Sequence, residues 1–477
     1  MKVRTRYAPS PTGYMHIGNL RTAIFEYLLA KKYNGDFILR IEDTDQEREV
    51  EGAVDFIYNT LDLCGFKIDE GPNNEKGYGP YVQSKRKDIY KEYALKLVEM
   101  GKAYYCFCSE EELGAMRKHA DERHKPFLYD GRCSRLSKEK IEENLKNGVP
   151  YVIRQKMPKT GQTIVEDVVY GKIKIDNSIL DDQILLKSDG FPTYNFANVI
   201  DDHLMEITHV IRGKEYLDQT AKYNLLYEAY GWEKPTYIHV AMVLGEDGNK
   251  LSKRNGDASF MDLYNEGYLP SAVVNYLALL GWSPESNQEI FTMEELIANF
   301  NENRISKSSS QYDVKKLKWF NHHYINNLSD EEYLIWIKKY FTNNTEGKTE
   351  DWVNRLLLIY KNHIDYGKQI NEVTASFFDS NFIINEEAAE FMKSDEIIPH
   401  VVEVFKEEIE KTTNWTVEAI SDVINNVKEK AGVKGKMLYM PIRIAASGIM
   451  HGPELADTLY LIGKEEILNR LTKWEKE

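Results

Sequence analysis

Apolar and polar positions alternate at the start of the chain. Val3, Thr5 and Tyr7 follow the two-residue period of a strand. Pro9 and Pro11 end that run. Leu20, Ile24, Tyr27, Leu28 and Lys31 then fall at helical spacing, with Gly35 placed as a stop. The apolar segment FILRI at 37–41 leads into EDTD. Strand, helix and strand in this order predict the first βαβ unit of a parallel sheet.

The texture changes between about 106 and 187. Three of the four cysteines, short β-like runs (PYVIRQKM, GKIKIDN) and turn residues dominate there, as expected of an insertion in an α/β domain. The α/β pattern resumes at 191–213 and continues through PTYIHVAMVLG at 235–245. From about 323 the pattern is helical. Ser329-Asp-Glu-Glu332 is a capping box ahead of YLIWIKKYF, and DWVNRLLLIYKNH and EIIPHVVEVFKEEIEK are amphipathic. Pro399, Pro441 and Pro453 are the only expected interruptions. The segments are therefore 1–105 and 188–322 for the two halves of an α/β domain, 106–187 for the insertion and 323–477 for a helical domain.

At 477 residues the chain is too long for one core, and two to four domains are expected. No apolar run approaches the ~18 residues of a membrane span, and the N-terminus lacks a signal-peptide apolar region. Four cysteines cannot build a disulfide scaffold. A cytoplasmic protein is the expectation. A net charge of −15 argues against a nucleic-acid partner, yet binding depends on local fields. SKRK at 84–87, KKLK at 315–318 and the lysines of 428–436 are local basic clusters, each of which alone reads as a solvated face.

Two short motifs carry chemistry. His16 and Gly18 lie where the first turn becomes a helix. A helix N-terminus offers unpaired N–H groups and a positive dipole end to phosphate. Glycine there lets a nucleotide approach the backbone, and histidine can donate to a transferring phosphate. Far downstream, GNKLSKRNGD at 248–257 is a glycine-flanked cationic loop suited to polyphosphate. Alone, each motif reads as punctuation before a helix or as a basic surface loop.

Together, the His-x-Gly turn and the later KLSK loop resemble the paired signature of class I aminoacyl-tRNA synthetases. The flanking stretches VRTRYAPSPTGYMHIGN, FILRIEDTD, PTYNFANVIDDHLMEITHVIRG, YLALLGW, WFNHHYI and PIRIAASG resemble bacterial glutamyl-tRNA synthetases, in order, over nearly the whole chain. Asn19 stands where the first motif of other class I enzymes often carries a second histidine. The resemblance implies a Rossmann-like catalytic domain (1–105 and 188–322, with the KLSKR loop in a stem-contact region). It also implies an inserted α+β domain (106–187) for the tRNA acceptor end and an all-α anticodon-binding domain (323–477).

The implied reaction activates L-glutamate with ATP and magnesium to glutamyl-adenylate, then transfers the acyl group to the terminal adenosine of tRNA(Glu). Some family members also charge tRNA(Gln), and most bacterial relatives are monomers. Under the resemblance His16, Lys250 and Lys253 are catalytic. His16, Gly18 and Lys253 bind ATP. Arg6, Ala8, Ser10, Glu42, Tyr194, Asn198 and Arg212 surround glutamate. Arg6 and Arg212 are candidates for its carboxylates, since such groups call for bidentate guanidinium, and Glu42 for its ammonium. Asp43 and Asp45 are expected to cap the next helix, and Asp201 and Asp202 to orient neighbours. Arg443 and Leu455 match the anticodon-contacting region.

Cys106, Cys108 and Cys133 match three ligands of a zinc site found in some members. The usual fourth position holds Arg135, which cannot ligate; Tyr129 is the candidate substitute. Three ordinary thiols are the alternative, and Cys64 reads as a core cysteine. Two neighbouring families fit less well. A paralogue that glutamylates a tRNA base ends after the catalytic part, and glutaminyl-tRNA synthetase generally has a β-barrel C-terminal part. A catalytically dead nucleotide-binding protein is disfavoured by the intact motifs.

Overall fold

The computed structural model describes every residue except 1, 14, 46–49, 125, 250, 252–258, 379–381 and 475–477. The chain divides into two compact units, Met1–Asp262 with Val274–Asp313, and Leu263–Val273 with Val314–Glu477.

In the first unit, β1 (Arg4–Tyr7) is buried along its whole length, although it reads Arg-Thr-Arg-Tyr. The alternation at 3–7 predicts a strand with one wet face. Ion pairing permits burial of both faces instead. Arg4 donates to both Glu70 oxygens (2.7 and 2.9 Å) and to Asp36 (3.0 Å). An interior guanidinium is tolerated only when paired in this way. The helix α1 (Ile17–Lys32) follows, and β2 (Asp36–Leu39) pairs parallel to β1, as the βαβ pattern predicts.

Helix α1 starts after the proline turn, with His16 as its N-cap. Leu20, Ile24, Phe25, Leu28 and Leu29 are fully buried. Each such side chain contributes about 1.5–3 kcal/mol of apolar burial. The stop differs from expectation. Asn34, with φ 51°, takes the left-handed conformation after the helix. Gly35 serves close approach instead, since a Cβ there would lie 2.1 Å from the Val3 carbonyl oxygen. Beyond β2 the pairing with the first strand continues: Arg40 N–H donates to Tyr7 O and Glu42 N–H to Pro9 O, each at 3.0 Å. This ladder sets Glu42 beside the Ala8–Ser10 turn.

The helices α2 (Ala53–Leu63) and α3 (Lys87–Glu99) precede β3 (Ala103–Cys106). Cys64 closes α2 as a buried cap. Asp43 does not cap α2, whose N-cap is Gly52; it accepts from Ser84 N–H at 2.7 Å. Residues 106–187 hold α4 (Glu110–Glu122), α5 (Lys138–Lys146), β4 (Val152–Gln155), β5 (Gln162–Asp167), β6 (Gly171–Asp176) and β7 (Ile184–Leu186). Strands β3, β4 and β7 form one antiparallel sheet.

After α6 (Tyr194–Leu204), the strands β8 (His209–Gly213) and β9 (Thr236–Val240) flank α7 (Thr220–Tyr230) and pair in parallel. The β5–β6 hairpin joins them, giving the order β6-β5-β9-β8. Residues 106–187 thus contribute the two strands of the β5–β6 hairpin, with Asp167 at the end of β5, to the sheet that carries Arg212.

The second unit has an apolar core fed by the helices Asp330–Ile337, Glu350–Ile359, Ile397–Lys411, Val417–Ala431, Lys436–Ser447, Leu455–Ile462 and Lys464–Trp474. The predicted capping box forms: Glu332 N–H donates to Ser329 Oγ (3.2 Å) and Ser329 N–H to Glu332 Oε2 (2.8 Å). The prolines interrupt less than expected. Pro399 lies in a first turn, where its missing N–H costs nothing, and Pro441 sits inside Lys436–Ser447.

The basic clusters are not uniform solvated faces. Arg86 is 1% exposed and donates to Asp201, Tyr78 O and Pro80 O. Lys430 pairs with Glu408 at 2.7 Å, and Leu317 is core. No helix among the described residues is long and apolar enough to cross a membrane.

Candidate active site

A cavity of about 630 Å³ opens where β1, the start of α1, β8 and β9 converge in the first unit. Its walls include Arg6, Ala8, Ser10, His16, Gly18, Glu42, Tyr194 and Arg212. These eight, 206 residues apart at the extremes of the chain (212 − 6), are brought together by the parallel crossing of the strands. Asn198 is not among the lining residues. It is 2% exposed, and its amide donates to Tyr194 O at 3.0 Å. Its place is one helical turn behind Tyr194.

One end of the cavity is the N-terminus of α1. The first intrahelical bond there runs from Leu20 N–H to His16 O, at 3.0 Å. The N–H groups of Ile17, Gly18 and Asn19 precede it and have no carbonyl four residues back within the helix. No acidic residue occupies this first turn. A Cβ on Gly18 would meet nothing within 4 Å among the described residues outside its own helix, so their packing does not require glycine there. His16 forms a backbone bridge with Ser259, which ties the loop after β9 to this turn. Lys250 and Lys253 lie outside the described residues; Leu251, between them, lines the cavity.

The other end is charged and buried. Arg6 donates to both oxygens of Asp202 (2.9 and 3.3 Å) and to Glu26 (3.3 Å). Arg40, fully buried, donates to Asp202 (2.7 Å) and to Glu42 Oε1 (2.8 and 3.2 Å). Burial pushes the Asp202 carboxyl up, but Arg6 and Arg40 outweigh it and hold it below the usual range. Burial wins at Glu42 and Glu26, which are raised despite the same arginines. Among the described residues the donors to Glu42 all meet Oε1, so this carboxyl keeps Oε2 for a cation in the cavity. Burial also raises Tyr194 well above an ordinary phenol, which keeps its hydroxyl protonated as a donor.

Arg6 and Arg212 differ in what they have left to offer. Arg6 is committed to internal carboxylates. Arg212, 7% exposed, has no carboxylate partner among the described residues. Its guanidinium donates from Nε to His239 Nε2 (3.1 Å) and from Nη2 to Thr220 Oγ1 (2.8 Å). Tyr223, Tyr216 and Tyr237 surround it at 4.6, 5.6 and 5.6 Å. Nε–H and the adjacent Nη2–H form one side of the fork; the outer Nη1–Nη2 end remains for a planar anion.

Sequence reasoning missed Arg40, Glu26, Asp167, His239 and the tyrosine box. Arg40 lay within FILRIEDTD and could have been found there, since a charge amid an apolar strand demands a partner.

The three cysteines converge away from this cavity. Their sulfurs all lie within 4.8 Å of one another, and Cys108 Sγ is 3.5 Å from Cys133 Sγ. Tyr129 Oη is 3.4 Å from Cys106 Sγ and 3.3 Å from Cys108 Sγ. Tetrahedral zinc with bonds of about 2.3 Å separates sulfurs by about 3.8 Å, so this S₃O donor set fits. Hydrogen bonding from Cys133 pulls the Cys106 thiol down to about 4, so the cluster readily carries a thiolate. Burial and hydrogen bonding to the three thiols raise the Tyr129 phenol above its ordinary value, and Arg154 stacks 4.2 Å above its ring. Arg135 is exposed, with its guanidinium on the Asp130 carbonyl.

In the second unit, Leu455 is 4% exposed and belongs to the core, so its side chain offers no surface to a base. Its position at a helix start, on the apolar face, is the reason. Arg443 is half-buried and donates to Pro453 O at 2.6 Å; desolvation lowers its basicity.

Fold and cavity together define a class I tRNA synthetase: a phosphate-ready helix start after the first strand, beside the ends of later parallel strands. The chain belongs to this family. The model described as tRNA synthetases class I (E and Q), catalytic domain, matches residues 2–319, and an anticodon binding domain matches 326–474. The chain is 51% identical to the glutamate–tRNA ligase of Clostridium novyi, covering 98% of this chain and 97% of that one. It is similar to the crystal structure of a glutamate–tRNA ligase from Elizabethkingia meningosepticum in complex with its amino acid, with TM-score 0.89, 37% identity and 99% of each chain covered. It is also similar to the glutamate–tRNA synthetase of Elizabethkingia anophelis, with TM-score 0.90, 36% identity and full coverage of both chains.

Proposed function

We propose that this chain is a glutamate–tRNA ligase, which activates L-glutamate with ATP and transfers it to the 3′-terminal adenosine of tRNA(Glu). The observation that carries the proposal is the pairing of complementary groups in one cavity. Arg212 offers an outer fork end for a carboxylate, and Glu42 offers a free oxygen for an ammonium, beside a helix start suited to phosphate.

On this reading the side-chain carboxylate of glutamate meets Arg212 and the Tyr194 hydroxyl, and its ammonium meets Glu42. Arg6, held by Asp202 and Glu26, contributes positive potential beside Ala8 and Ser10 and steers the reacting carboxylate. ATP lies along the start of α1, with its phosphates toward the N–H groups at Gly18 and the His16 side chain. The glutamate α-carboxylate attacks the α-phosphorus in line; pyrophosphate leaves. Lys253, assisted by Lys250, balances the charge growing on the phosphates, as does magnesium bound with the ATP. The 2′-hydroxyl of the tRNA terminus then attacks the mixed anhydride, and AMP leaves. No covalent enzyme intermediate is needed, since positioning and electrostatics supply the rate.

Cys106, Cys108, Cys133 and Tyr129 would hold a zinc ion, whose part there would be structural. Arg443 and its neighbours on Lys436–Ser447 face the anticodon. The enzyme acts in the cytoplasm as a monomer.

The deciding experiment is charging of labelled glutamate with ATP, using tRNA(Glu) and tRNA(Gln) in separate reactions. Charging of tRNA(Glu) is expected, and charging of tRNA(Gln) decides the breadth of tRNA choice. A folded protein that charges neither overturns the proposal. Lys253→Ala is expected to lower the charging rate by about 10²–10³-fold with little change in tRNA affinity.

A further inference from the structure

Arg212 is steered by a buried chain of groups that contains no surface residue. His239 faces it in register across β8 and β9, and both His239 and Asp167 have side chains with no solvent exposure. Asp167 Oδ1 accepts from Val169 N–H (2.9 Å) and Tyr170 N–H (2.8 Å), which pins the carboxylate at the β5–β6 turn. Its Oδ2 accepts from His239 N–H (2.9 Å) and lies 2.7 Å from His239 Nδ1.

The chemistry of the partners fixes the imidazole. Arginine Nε–H can only donate, so His239 Nε2, at 3.1 Å, must present its lone pair. The ring proton then sits on Nδ1 and is donated to Asp167. The groups facing the ring are Asp167 from β5, Arg212 from β8 and the Thr220 hydroxyl from α7 at 3.2 Å; the Tyr237 ring stands 6.1 Å away on its own strand, and Glu215 acts from further off. Burial, aided by the Arg212 charge, lowers the imidazole's basicity against the pull of Asp167, so the neutral ring is favoured. A protonated ring would set one N–H against another.

We infer that Asp167 and His239 are positioning residues for Arg212: they hold one side of its guanidinium so that the outer end is aimed at the substrate side chain, and so set the preference for a carboxylate over an amide. This rests on the substrate role proposed above for Arg212. The steering comes from the inserted segment through Asp167, so amino-acid choice is coupled to the stretch between the two halves of the catalytic domain.

The test compares His239→Leu, which removes the acceptor, with His239→Gln, whose side-chain oxygen can accept from Arg212 Nε–H. The glutamate KM, the ATP KM and inhibition by glutamine are measured in tRNA charging at neutral pH. His239→Leu is expected to raise the glutamate KM about 10- to 100-fold, the factor for a lost hydrogen bond to a charged group. The ATP KM should stay within about twofold, and the preference for glutamate over glutamine should narrow by a similar factor to the glutamate KM. His239→Gln should recover most of the difference. If His239→Leu does not fold, Asp167→Asn replaces it. One amide oxygen cannot serve both the turn N–H groups and the imidazole, so that variant should also raise the glutamate KM selectively. Glutamate and ATP KM values that rise together, or an unchanged preference over glutamine, overturn the inference. A wild-type protein that charges no glutamate removes the proposed function, and this inference with it. A wild type that charges while both variants bind glutamate normally removes the positioning role alone.

Discussion

Arg212→Lys isolates the value of the guanidinium fork, because it keeps the charge and removes the geometry. Arg212 spends Nε–H on His239 and one Nη2–H on Thr220, within a box of three tyrosine rings. A lysine ammonium is a single point charge on a flexible stem and cannot satisfy both acceptors while bidentate to a carboxylate. One charge-assisted hydrogen bond to the substrate is lost, worth about 1.5–3 kcal/mol. The His239 acceptor, buried and deprived of its donor, lets the ammonium be drawn away from the substrate, at a further cost of about 1 kcal/mol. The sum, about 3 kcal/mol, corresponds to a loss of about 150-fold in kcat/KM for glutamate. The assay is tRNA charging with glutamate varied at saturating ATP, then the reverse. The loss should fall on glutamate and spare the ATP KM. A change below about threefold, or equal losses for both substrates, would refute the assignment of Arg212 to the substrate side chain.

Two glycines should respond in opposite ways. At Gly18→Ala the new Cβ meets nothing among the described residues outside its helix, so helix propensity should raise stability by about 0.5–1 kcal/mol while the ATP KM rises; an unchanged ATP KM would remove Gly18 from the nucleotide site. At Gly35→Ala the Cβ falls 2.1 Å from Val3 O, and denaturant melts should show a loss of about 2–3 kcal/mol with no selective effect on either substrate. Cys133→Ser should lower the zinc content of purified protein, read by elemental analysis; wild-type protein free of zinc after purification without chelators would leave three ordinary thiols. In acid, burial raises the Asp36 and Glu70 carboxyls, but Lys2 and Arg4 outweigh it at Asp36, and Arg4 and Tyr81 at Glu70. Both sit below their ordinary values of 3.8 and 4.5. Their contribution is therefore complete above the ordinary range and is lost as pH falls through the lower folded values. Circular dichroism should show stability declining below about pH 4.5, more shallowly in Arg4→Met.

Much of the fold was legible because local signals and tertiary structure agree. The βαβ start is the plain outcome of period-two spacing, a proline break and helical spacing. The capping box at Ser329 needed only four residues to declare itself. The motif residues lining the cavity were legible as a set only through their resemblance to a family. No local rule links His16 to Arg212.

The less legible features share a cause. A strand that reads Arg-Thr-Arg-Tyr looks half wet until Asp36, Glu70, Glu26 and Asp202 arrive from elsewhere to pair its arginines. SKRK looks solvated until Asp201 meets Arg86. Leu455 looks available until neighbouring helices cover it.

The sequence by itself determined the kinds and order of the elements at the start of the chain, the capping box at Ser329, and which short motifs can hold phosphate, because those depend on neighbours a few positions apart. Only the tertiary structure decided which arginine is spent internally and which retains a free fork end. That depends on charges 196 residues away for Arg6 and on an imidazole 27 residues away for Arg212. Such partners are fixed by strand register and by the route of an inserted segment, and burial then makes each pairing obligatory, since an unpaired interior charge costs more than the fold can spare.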